Sequence, residues 1–443
     1  MTKNVNDGIN RQKIFLISVI ALFTSGLSAA LRASIAGDIQ GNYLDAIDLA
    51  SSTIMIGEIL GISFLGFAFS LFFSSPLLDA IGMSRLLMLS AVCFIGGTLI
   101  VIFADAFAVG SDIYWYLWGG MLISGIGWGL VEGTTNPLTT SLYPEDKTNR
   151  LNILHAWWPA GLVVGGLSGV ALSAFDLSWK VQFSLVLLPS LVYAYMVFGM
   201  KFPLTERAAA GVSMKEMLTE ITRQPSFFVW LGAMILTAAS ELAPGQLVDL
   251  VLTRTVGMDG ILLLVYVSGL MFVMRHFSGV LLRFISPVGL LWCSCALAAA
   301  GLYLLSFANS PLTGFLAATI WGIGVCYMWP TMLATASERY PRGGSFFIGL
   351  MGAAGALSIN FVLPELGGIF DQAKQDFAGG IQAFSLLEGE SLNAALISAA
   401  RTTFQSIALF PLSLLFVFGA IWYRERLKGG YSPVLVTSKE LSK

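Results

Sequence analysis

Long apolar runs separated by short clusters of charge set the pattern of this chain. The first uncharged run lies between Lys13 and Arg32, the second between Glu58 and Asp79, the third between Arg85 and Asp105, and the fourth between Asp112 and Glu132. Arg150 and Asp176 bound a fifth, and Lys180 and Lys201 a sixth. A polar stretch follows over 201–225, and further runs start near Phe227 and Gly260. The uncharged stretch 284–337 is too long for one helix, and Asn309-Ser310-Pro311 is the turn that splits it. Runs over 343–364 and 402–423 complete the series. A helix crosses the apolar core of a bilayer in about 20 residues, so the pattern predicts an all-α membrane protein with twelve transmembrane helices. The first run follows Arg11 and Lys13 as a signal peptide would, but it is longer than a typical signal core and the next run follows at once. A retained helix is expected.

Charge tests the count independently. With the N-terminus in the cytoplasm, eighteen of the 24 Lys and Arg residues fall on the cytoplasmic side. Only Lys180, Arg254, Lys374 and Arg401 fall outside, while Arg32 and Arg275 lie within spans. The positive-inside rule supports this polarity, with both termini cytoplasmic. An odd number of spans would scramble the asymmetry.

The stretch 201–225 divides six spans from six. Met214, Met217, Leu218 and Ile221 recur there at helical spacing, with Lys215, Glu216 and Glu220 opposite, which predicts an amphipathic helix at the membrane surface. The expected organisation is an N-terminal six-helix bundle over 1–200, this linker over 201–225, and a C-terminal bundle with a cytoplasmic tail over 226–443. Residues 367–401 read as a long outer loop.

Composition narrows the function classes. Apolar residues make up 56% of the chain and charged ones 11%, with a mean hydropathy of +0.79; soluble domains carry about a quarter charged residues. A net charge of −2 without a basic patch argues against nucleic acid. Cys93, Cys293, Cys295 and Cys326 sit inside apolar runs, and His155 and His276 stand far apart, so neither a disulfide framework nor a metal site is expected. No HExxH, GxSxG or Walker loop is present and the loops are short, which excludes a membrane enzyme.

The halves repeat each other. Span four reads GIGWGLVEGTTNPLTTSLYP from Gly125, and span ten reads GIGVCYMWPTMLATASERYP from Gly322, with Tyr-Pro equally far from Gly-Ile-Gly in both. A fainter copy relates LLDAIGMSRLL from Leu77 to LLRFISPVGLL from Leu281. Two related six-helix halves with a site at their interface suit alternating access.

These residues also carry a resemblance. The loop Leu78-Asp79-Ala80-Ile81-Gly82-Met83-Ser84-Arg85 resembles the loop-2/3 signature of the major facilitator superfamily. Asp79, Gly82 and Arg85 keep it, whereas Ala80, Met83 and Ser84 depart from its usual basic positions. The segment LVEGTTNPLTTSLYPEDKTNRLNILHAWW from Leu130 is similar to the fucose–galactose–glucose:proton symporter family, whose fourth helix carries Glu, then Asn-Pro, with Leu-Asn opening the next helix. The resemblance implies two pseudo-symmetric bundles and a secondary transporter of a small polar solute, a monosaccharide above all, with a proton or else sodium as coupling ion. No resident cofactor is implied. The expected partners are the bilayer and a small-molecule substrate, with a monomer in the cytoplasmic (inner) membrane.

Ionisable residues inside spans are the natural functional candidates. At ~1.5 Å per residue, Glu132 lies ~16 Å from the cytoplasmic end of span four, near the middle of a ~30 Å core. Asn136 is one turn below on the same face, so the two suit adjacent hydroxyls of one substrate. Trp329, which matches Glu132 in the repeat, lies at ~15 Å and offers a ring for a sugar's C–H face. Trp158, Tyr327, Gln246 and Asn360 are further substrate-binding candidates. Arg32, at ~27 Å, and Glu58, at ~24 Å, share a level and suit an interhelical ion pair. In the resembled family helix one bears a proton-coupling acid near this place. Here Ala30-Leu31-Arg32-Ala33 has none, so either another carboxylate takes the proton or the coupling differs. Glu241, at ~22 Å, precedes Pro244-Gly245, where a helix break would suit a cation or a gate, and helix-end packing is the alternative. Arg275, at ~12 Å in span eight, would hold an anionic substrate, lock a gate or pair with a nearby acid. His155 and His276 read as hydrogen-bonded packing residues. A proton-coupled efflux antiporter is the first rival reading. Such antiporters carry Gly-Pro-x-x-Gly-Gly in span five, whereas this chain has Pro159-Ala160-Gly161-Leu162-Val163-Val164-Gly165-Gly166. A non-transporting sensor of the same fold is the second.

Overall fold

The computed structural model describes residues 9–49, 51–256 and 260–434, and every regular element among them is helical. In chain order the spans are Arg11–Ser34, Ser52–Ile81, Met83–Ile102, Asp112–Leu142, Lys147–Ala174 and Trp179–Val197, then Phe227–Val256, Gly260–His276, Pro287–Leu305, Pro311–Arg339, Gly344–Ala378 and Gly389–Leu427. Ten helices among the described residues are long and apolar enough to cross a membrane. The remaining two of the twelve are span four, whose glycines and threonines dilute its hydropathy, and span eight, whose described apolar part is the short Leu263–His276. The chain is a multi-pass membrane protein.

Local chemistry sets the ends. Ser310 caps span ten reciprocally with Thr313, and Pro311 occupies the first turn, where its missing N–H costs nothing. Ser286 caps span nine by accepting the Gly289 N–H, and Pro287 occupies its first turn. Gly82, at φ +95°, turns the chain from span two into span three in a single residue, a conformation that a side chain would strain. The segment 367–401 departs from the sequence reading. Span eleven continues as helix to Ala378 and span twelve begins at Gly389, leaving a short connection. Gln, Lys, Ala and Glu there are good helix formers, so the polarity marks the end of the apolar stretch and not the end of the helix.

Two compact units form. Of the described residues, one holds those within Met1–Phe228, Leu333–Ala356 and Pro433–Lys443, and the other those within Val229–Met332 and Leu357–Ser432. In the first unit spans one and five meet backbone to backbone: a Cβ on Gly26 would lie 2.0 Å from the Trp158 carbonyl oxygen. Gly26→Ala should therefore destabilise the protein by about 1–3 kcal/mol through overpacking. Gly37→Ala, which meets open space, should not. Thermal melts of the two variants check this.

The first unit also gathers a polar layer at the end where Tyr143 lies. Asp79 of the loop signature accepts from Thr205 Oγ1 at 2.8 Å and from the guanidinium of Arg207. Lys147 pairs with Glu206 at 2.5 Å, Thr148 Oγ1 donates to Glu338 at 2.8 Å, and Ser345 Oγ donates to the Ser75 carbonyl at 2.7 Å. Arg85 is spent locally on the Ile81 carbonyl. The linker helix forms at Met214–Arg223 behind a Ser213–Glu216 capping box. Its buried face is turned from the expected stripe: Met217 is enclosed and Leu218 is exposed, while Glu220 is buried against Arg342 at 3.6 Å. The partner cation makes the acid side the one that packs.

Candidate functional site

Within the first unit, span four carries the densest set of buried polar groups. Glu132 and Asn136 are one turn apart, 4% and 2% exposed. The Trp128 indole N–H donates to Glu132 Oε1 at 3.1 Å, fixing that carboxylate from one turn above. From span five, His155 Nε2 donates to Asn136 Oδ1 at 2.8 Å. Trp158, one turn further along span five, lies near-parallel to Trp128 with ring centroids 6.2 Å apart, and Phe67 stacks on Trp128 at 4.1 Å. The structure thus brings together Glu132, Asn136 and Trp158, all read from the sequence, and adds Trp128 and His155. Trp128 was legible as the residue four before Glu132. His155 is hydrogen-bonded as the sequence suggests, and depth along the span does not show that its partner is Asn136.

The expected pairing of Arg32 with Glu58 does not form. Tyr114 Oη donates to Glu58 Oε2 at 2.6 Å, and Glu58 lies on an exposed face of span two. Arg32 is buried, and the described residues supply its Nη1 with no hydrogen-bond partner. A shared level is not enough, since the rotation of each helix decides which way a side chain points.

The second unit holds a different centre. Span seven runs as one helix from Phe227 through Pro244 to Val256, with no break at Pro244-Gly245. Pro244 has no N–H for the Ser240 carbonyl four residues back, and the Trp321 indole N–H takes that carbonyl at 3.2 Å instead. The break occurs in span ten, between Pro311–Val325 and Met328–Arg339. Pro330 leaves the Cys326 carbonyl without its helical donor, and Arg275 Nε fills the place at 2.6 Å. The same guanidinium pairs with Glu241 at 2.8 Å, and Glu241 also accepts the Trp329 backbone N–H. One ion pair therefore satisfies both sides of the broken helix. Tyr327 Oη is spent on the Met274 carbonyl at 2.7 Å. Arg275, Glu241, Trp329 and Tyr327 are thus gathered, whereas Asn360 sits on an exposed face of span eleven and the Gln246 side chain lies outside the described residues.

No curated protein matches the chain. Solved structures resemble it along most of its length. The E. coli fucose:proton symporter FucP is 17% identical with a TM-score of 0.64, covering 90% of this chain and 99% of its own. The proton:xylose symporter XylE is 13% identical with a TM-score of 0.70, covering 98% and 99%. The human organic anion transporter MFSD10 is 12% identical with a TM-score of 0.67, covering 92% and 99%. At these identities the likeness is one of fold. The Major Facilitator Superfamily model matches residues 14–362, and with that match and the helices above, the chain belongs to this superfamily of membrane transporters.

Proposed function

We propose that the protein is a secondary active symporter that carries a monosaccharide across the cytoplasmic membrane with a proton. The observation that carries this reading is the span-four and span-five cluster: a carboxylate and an amide one turn apart, oriented by Trp128 and His155, beside the Trp158 ring. Carboxylate and amide oxygens accept hydroxyl hydrogens, and an indole face covers C–H groups, the mixture of few polar anchors and apolar walls typical of small-molecule sites. The proton-symporter names of FucP and XylE, similar in fold, agree with it.

Thermal melts of purified protein against a panel of monosaccharides test the reading without knowledge of the ion. A ligand at a hundredfold excess over its Kd stabilises by about 2.7 kcal/mol through mass action. If no monosaccharide raises the melting temperature, the proposal fails. Asn136→Ala should weaken binding of the sugar so identified by about 1–3 kcal/mol, the loss expected for a buried hydrogen-bond partner. Flux into proteoliposomes separates a transporter from a sensor that only binds.

The orientation that places both termini inside has its own test. Cysteines placed singly at Lys215 and Lys374 should label from opposite sides of the membrane. Labelling of both by an impermeant reagent added outside would overturn the topology.

A further inference from the structure

Arg275 has a carboxylate and a carbonyl to bind, and Arg32 has neither. Arg32 is 5% exposed within the first unit, and its Nη1 is closed off from solvent with no hydrogen-bond partner. One turn nearer the middle of span one, Ser28 Oγ is in the same condition at 1% exposure. Gly26 and Ala30 form the face that meets span five, at Trp158 and Gly165. At about 100° per residue, Ser28 and Arg32 fall together on the far side of the helix from that contact. Span one therefore presents a guanidinium and a hydroxyl, two donors one turn apart, with no acceptor supplied by the described residues.

An ionised side chain in a span is expensive unless something compensates it. Glu58, the acid at its level, is engaged by Tyr114 instead. Side chains lean toward the N-terminus of their own helix. Arg32 on span one thus leans toward the membrane middle, and Glu132 on span four, which runs the opposite way and touches span one, leans toward it. Their Cα levels differ by ~11 Å, and each side chain leans towards the level of the other.

We infer that Arg32 and Ser28 receive an anionic group of the transported solute, so that the substrate is a sugar acid: a monosaccharide bearing a carboxylate. The inference rests on the monosaccharide reading above and deepens it. A guanidinium matches a carboxylate in charge and in its planar pair of acceptors. A phosphate monoester carries close to two charges, and one guanidinium beside the Glu132 carboxylate would leave the second uncompensated. The carboxylate docks at Arg32, and hydroxyls further along the ring meet Glu132 and Asn136.

The test compares affinities of full-length protein for D-glucuronate, D-galacturonate, D-glucose, D-galactose and D-glucose 6-phosphate by titration calorimetry. Each uronate should bind at least about tenfold more tightly than its neutral sugar, a factor equal to 1.4 kcal/mol. Arg32→Gln should bring that ratio below about threefold. Ser28→Ala, a change too small to threaten folding, should lower it in the same direction. Neutral sugars binding as tightly as the uronates would overturn the inference and leave the monosaccharide reading standing. Preference for the phosphate ester would replace the carboxylate with a phosphate. Failure of every sugar to bind would remove both readings together.

Discussion

Arg275→Gln should lower the stability of the folded protein by about 3–5 kcal/mol, the largest loss expected from any single change in the second unit. Arg275 and Glu241 have side chains 2% and 5% exposed, and removing one member of such a pair leaves the other charge buried alone. The usual penalty is compounded here because the guanidinium also holds the Cys326 carbonyl that Pro330 leaves without a donor. Arg275→Lys should recover only part of the loss, since an ammonium lacks the fixed fork that reaches an acid and a carbonyl at once. Glu241→Gln leaves the guanidinium uncompensated and should also be costly. The double variant should cost less than the two single losses added together, because neither charge is then stranded. Thermal unfolding in detergent reads all four. An Arg275→Gln protein that melts with the wild type would show that the pair does not hold span ten together.

Span positions were legible because lipid selects long apolar runs, and the Asn309-Ser310-Pro311 turn was legible because it carries its own capping chemistry. What sequence could not resolve depends on a second helix. Pro244 and Pro330 both announce a carbonyl without a donor, yet one span stays whole and the other breaks. Trp321 stands ready to bond the Ser240 carbonyl, while Arg275 and Glu241 take the carbonyl and N–H of an opened turn. Depth along a span placed Arg32 beside Glu58, but pairing needs matching rotation as well as matching level. In the linker the apolar period predicted the helix, and Arg342 then chose which face of it to bury. Glu132 and Asn136 were readable as a pair because their spacing lies within one helix, where 3.6 residues per turn fixes the geometry.

Glu132→Gln should abolish proton-driven accumulation of sugar while leaving some counterflow exchange. Symport needs a group that changes protonation as the site is presented to the two sides, and three span carboxylates are candidates. Glu58 lies on an exposed face near the end of span two, held by Tyr114. Protonating Glu241 would neutralise the charge partner of Arg275 and strand the guanidinium that holds the broken span ten. Glu132 is buried at ~16 Å, near the membrane middle. Its bond from the Trp128 indole survives either state, because a carboxyl oxygen accepts that hydrogen whether or not its neighbour carries a proton. Glutamine keeps the shape and the acceptor and removes the exchangeable proton, so it separates coupling from binding. Uptake into proteoliposomes under an imposed pH gradient, set beside exchange at equal pH, reads the two separately. Accumulation that persists in Glu132→Gln and disappears in Glu241→Gln would move coupling to span seven, and the Arg275 pair would then be the element that opens with each proton. Accumulation that follows a sodium gradient and ignores pH would exclude the proton from the cycle altogether.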